Sequence, residues 1–106
     1  MVTEASLSQM VQRLVAAANP RKIILFGSYA RGEADEGSDL DVMVIEEQVA
    51  DMGREMVRLR QIIGNMETGV DVLVYSEQEV ARRGQVAGTL IHEALREGRV
   101  LYEIPG

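Results

Sequence analysis

Three short apolar runs, Lys22–Phe26, Leu40–Ile45 and Val70–Tyr75, recur along the chain, bordered by glycine, proline or polar residues. Each is the length of a strand and too short for a buried helix. Around them, apolar residues return at three- and four-residue steps, the period of helices with one buried face. Strands interleaved with amphipathic helices pack as helices on a sheet. In 106 residues that means one small mixed sheet with helices packed on it, an α+β (α/β) fold, in a single domain 1–106.

The helical stretches are defined by their stripes. Leu7, Met10, Val11, Leu14, Val15 and Ala18 form the first, with Ser6 and Gln9 at capping-box spacing and Asn19-Pro20 as its stop. Val49, Met52, Met56, Leu59 and Ile63 form the second, ending at Gly64-Asn65, with its methionines expected to fill core. Ser76 and Glu79 predict a helix opening near residue 77. After a break near Gly84, Val86, Leu90, Ile91, Ala94 and Leu95 predict a last helix up to Gly98, followed by a short strand at Val100–Tyr102. Residues 28–37 read as a loop or one helical turn.

Composition removes several functions. Eleven Lys and Arg stand against 17 Asp and Glu, a net charge of −6. That balance disfavours coating duplex nucleic acid, whose phosphates demand a basic face. A nucleotide remains compatible where a metal ion carries positive charge. The absence of cysteine excludes disulfides, thiolate metal sites and thiol nucleophiles. The opening MVTEASLSQM lacks a basic stretch followed by a long apolar run, so no signal peptide is expected, and no apolar run nears the roughly 20 residues of a membrane span. A cytoplasmic location is the expectation, with no membrane partner.

The chemistry concentrates in Gly27-Ser28-Tyr29-Ala30-Arg31-Gly32, followed by Ser38-Asp39-Leu40-Asp41. Asp39 and Asp41, two apart at a strand start, point to one face. Such carboxylates repel unless a cation joins them, and Mg²⁺ accepts one or two carboxylates together with phosphate oxygens. Asp71 lies between Val70 and Val72 in the third run, where burial is costly without a partner or metal. If that strand neighbours the second, Asp71 completes a cluster able to hold two ions for in-line phosphoryl displacement. Gly27 and Ser28 open a turn whose amides suit a phosphate, and Arg31 can meet a phosphate oxygen bidentately.

Taken singly, each feature has an ordinary alternative. The two aspartates could be a solvated strand edge, Asp71 could pair with an arginine, and Arg31 could pair with Glu33 or Asp35. His92 reads as structural, Arg82-Arg83 as a helix end, and Tyr29 and Tyr75 as packing residues. The combination is more specific than any part of it.

Gly-Ser, ten residues, then Asp-x-Asp resembles the signature of the polymerase beta-like nucleotidyltransferase superfamily. The fuller G-S-Y-A-R-G and S-D-L-D resemble its minimal members over roughly residues 5–102. The resemblance implies that Gly27 and Ser28 bind the triphosphate, with Arg31 and Ser38 beside it. It implies that Asp39, Asp41 and Asp71 are catalytic and hold Mg²⁺ as two ions, or Mn²⁺, with Asp71 helping to activate the attacking hydroxyl. It further implies ATP as donor and a small helical HEPN-type protein as partner. In such toxin–antitoxin pairs the nucleotidyltransferase is the antitoxin and attaches AMP to a tyrosine of its partner. Two other readings share the motif: an antitoxin that masks its partner by binding alone, and the catalytic subunit of a transferase for a small hydroxylated antibiotic.

Overall fold

All three apolar runs are strands in the computed structural model, which describes residues 2–105, and the short last strand expected at Val100–Tyr102 is the middle of a fourth. Met1 and Gly106, the ends of the expected domain 1–106, lie outside the described residues. The order is α1 (Glu4–Ala18), β1 (Lys22–Phe26), α2 (Gly27–Arg31), β2 (Leu40–Glu46), α3 (Met52–Ile63), β3 (Val70–Ser76), α4 (Glu77–Arg83), α5 (Leu90–Glu97) and β4 (Arg99–Glu103). The sheet order is β3-β2-β1-β4. β1 runs antiparallel to β2 and β4, whereas β3 runs parallel to β2, the mixed sheet expected.

The middles of the two central strands, Ile23–Leu25 and Val42–Ile45, are apolar because both faces of the sheet are covered there. On one face Ile23, Leu25, Val42, Val44, Val72 and Val74 pack with Leu7, Met10 and Leu14 of α1 and with Leu59 and Ile63 of α3. On the other, Ile24, Met43 and Ile45 pack with Ile91 and Ala94 of α5. Full burial of one such side chain stabilises the fold by about 1.5–3 kcal/mol. The period of two in β2 puts Asp41 on the same face as Met43 and Ile45, toward α5.

Helix starts differ from the sequence reading at three places, the first being α3, which opens at Met52 under an Asp51 cap and leaves Val49 of the predicted stripe outside the helix. α1 is capped by Thr3, whose side chain accepts from the Ser6 amide at 3.0 Å, so Ser6 lies inside the first turn. α5 begins at Leu90 under a Thr89 cap, leaving Val86 outside the helix and 53% exposed. The Ser76 cap is as predicted, accepting from the Glu79 amide. Met56 packs against the core, but Met52 is 48% exposed. It sits at the first position of α3, beside the end of β3 at Val74–Ser76. Among the described residues no helix is long and apolar enough to cross a membrane.

Candidate active site

The parallel register sets Asp41 directly beside Asp71, and the antiparallel register sets Phe26 beside Asp41. Gly27, following Phe26, therefore meets the carboxylate pair. Its φ of +73° is in the left-handed region, and a Cβ there would overlap the Asp41 carboxylate. Glycine is needed at this position for both reasons.

Asp41 is half-buried, whereas Asp71 is exposed. The expectation that Asp71 would be buried in an apolar strand is corrected: β3 is an edge strand, and Asp71 stands near its start. Partial burial, the Asp71 carboxylate and the charge of Asp39 raise the Asp41 carboxyl above its ordinary 3.8, and Arg31 acts in the opposite direction. A proton or a cation relieves that repulsion.

A cleft of about 550 Å³ opens over the pair. Phe26, Gly27, Arg31, Asp41 and Asp71 line one side, and Leu90, Glu93 and Glu97 of α5 line the other. Arg31 Nε lies 3.4 Å from Glu33 Oε1, so the ordinary pairing considered for it is present while it also reaches the cleft. Ser28 is in the first turn of α2, which has no side-chain cap. Ser38 lies next to Asp39, and its hydroxyl bonds Asp35, accepting from the amide at 3.0 Å and donating to Oδ1 at 3.2 Å.

Asp39 is exposed and is not among the residues lining the cleft; its Oδ1 lies against Gly69. Among the described residues no three acids or histidines are gathered as closely as the ligands of one ion. The donors nonetheless suit Mg²⁺ or Mn²⁺, since all are carboxylate oxygens and two of them stand side by side.

The remaining singled-out residues are structural. His92 Nδ1 is 2.8 Å from the Gly84 carbonyl, tying α5 to the end of α4. Arg82 and Arg83 lie 3.8 and 3.7 Å from Glu79 at the end of α4. Tyr29 and Tyr75 pack on the two core clusters. Sequence reasoning missed the α5 wall. The four-residue spacing of Glu93 and Glu97 shows that they share a helix face, but nothing local says what that face meets.

A strand, a glycine turn and paired carboxylates at one end of a cleft define a phosphoryl-transfer domain. Residues 9–105 match the family described as "Polymerase beta, Nucleotidyltransferase". The chain belongs to that family and is a nucleotidyltransferase. It is 31% identical to a Methanocaldococcus jannaschii protein named, by inference, as a protein adenylyltransferase, over 96% of this chain and 100% of that protein. A solved minimal nucleotidyltransferase, also so named by inference, is 30% identical, with a TM-score of 0.55 over 93% of this chain and 95% of that one. A toxin–antitoxin structure with AMP-PNP matches the fold at a TM-score of 0.67 and 20% identity, over 92% of this chain and 73% of that one.

Proposed function

We propose that this protein transfers AMP from ATP to a hydroxyl of a small helical HEPN-type partner, a tyrosine by family resemblance, and so acts as an antitoxin. The observation that carries the reading is the Asp41–Asp71 pair in register beside Gly27 at the cleft. The name of the Methanocaldococcus relative supports a protein acceptor. The toxin–antitoxin complex with AMP-PNP, a structural neighbour, supports ATP and a toxin partner.

The first turn of α2, with Gly27, Ser28 and Arg31, faces the triphosphate, and Ser38 braces the segment carrying Asp39. Asp39, Asp41 and Asp71 would hold Mg²⁺, which would supply positive charge against the phosphates. Asp71 takes the proton of the acceptor hydroxyl. The hydroxyl oxygen bonds to the α-phosphorus, the bond from that phosphorus to the bridging oxygen breaks, and pyrophosphate leaves. Orientation of these groups and electrostatic stabilisation of the charge that develops together supply the rate.

Pyrophosphate release tests the reaction. With the protein encoded by the adjoining gene as acceptor, wild type releases pyrophosphate from Mg²⁺ and ATP, and Asp41→Asn falls by at least about 100-fold. Equal release by both proteins contradicts the assignment of Asp41.

A further inference from the structure

Among the described residues four glycines, at 27, 32, 64 and 88, have positive φ, and Gly69 is not among them. Its φ lies outside the left-handed region that favours glycine, so a left-handed turn does not explain a glycine there. Space does. A Cβ at position 69 would overlap Asp39 Oδ1 and come within 3.0 Å of its Cγ. The cause is the parallel register: Asp41 faces Asp71, so one step back along each same-face row Asp39 faces position 69.

The strands are held together at this point. The Leu40 amide donates to the Gly69 carbonyl at 2.8 Å, and Thr68 Oγ1 donates to the Ser38 carbonyl at 2.8 Å. Bonds on both sides of Asp39 fix its backbone, leaving the room at Gly69 to decide where its carboxylate sits. We propose that Gly69, held by the Thr68 strap, is the positioning residue for Asp39, its missing side chain being the space that the carboxylate occupies. The inference rests on the reading of Asp39 as a ligand of the divalent metal. Gly69 has no side chain with which to ligate, and its carbonyl accepts from the Leu40 amide.

The test is a double-mutant cycle on the whole chain, using Gly69→Ala with and without Asp39→Ala. Two quantities are read: the melting temperature without metal, and Mn²⁺ affinity by calorimetry. With Asp39 present, Gly69→Ala should weaken Mn²⁺ binding at least about tenfold, as loss of a residue supporting a ligand does, and should lower the melting temperature relative to the same substitution made without Asp39. In the Asp39→Ala background, the same substitution should cost neither. If Gly69→Ala alone does not fold, recovery of folding in the double variant supports the proposal and failure of both overturns it. Equal losses in both backgrounds, or Mn²⁺ affinity within twofold of wild type, also overturn it. Absence of Mn²⁺ binding by wild type refutes the metal reading instead, and the melting cycle still decides whether Gly69 and Asp39 are coupled.

Discussion

Gly27 holds together two requirements that no other residue type meets: a left-handed φ of +73° and room for the Asp41 carboxylate. The left-handed conformation alone costs an L-residue about 1–2 kcal/mol, and Asp41 would have to move as well. Gly27→Ala is therefore expected to lower stability by at least about 1–2 kcal/mol and to abolish the stabilisation that Mg²⁺ with ATP gives wild type. Thermal melts with and without the ligands check both, and a variant melting like wild type in each condition contradicts the account. The site was most legible at this scale. Gly27, Asp41 and Asp71, which the fold brings to one cleft, could be singled out from sequence because charge repulsion and backbone approach restrict residue type, whereas Asp39, singled out with them, stands outside its lining. The exposure of Asp71 and the bond between Ser38 and Asp35 could not, since they depend on which strand lies at the edge and how the loop turns.

The junction of β2 with α3 carries a second carboxylate pair, outside the proposed site. Glu46 ends β2, and its buried Oε2 has no partner among the described residues. Burial first, then the neighbouring Glu55, raises its carboxyl from 4.5 to about 7. Arg58 grips Glu55 with two bonds, at 2.8 and 2.7 Å, and holds it down to about 2. The signs follow from linkage. Glu46 stabilises the fold when protonated, and that contribution is lost as pH rises from 4.5 to about 7. Glu55 stabilises it when ionised, and that contribution is lost as pH falls from 4.5 toward about 2. Glu46→Gln mimics the protonated form and should raise stability at pH 8 by about 1 kcal/mol, a figure already reduced for solvent screening. The gain should shrink toward zero near pH 4.5, as urea denaturation at the two pH values will show. A gain of equal size at both contradicts the assignment. Strands and helix periods were readable at this scale, but helix starts were less so. Ser6 and Thr3 both have capping chemistry, and only the extended backbone at Thr3 (φ −95°, ψ 164°) distinguishes them.

For the molecule as a whole, the sequence indicated a mixed sheet with helices packed on it but not the order β3-β2-β1-β4. Strand neighbours are long-range pairings that no local pattern encodes. The juxtaposition of Asp41 and Asp71 depended on one such pairing, expected only on the condition that the third run lay beside the second. The parallel β2–β3 ladder meets it. The net charge of −6 is compatible with a nucleotide whose phosphates are met by metal and local donors. The central claim is that this pair serves transfer of AMP to another chain. Intact mass spectrometry of the partner, co-expressed with wild type or with Asp41→Asn, tests it most directly. The partner should carry added AMP with wild type and none with Asp41→Asn. Partner that binds both proteins equally, is neutralised by both and never carries AMP would contradict the claim and establish an antitoxin acting by binding alone.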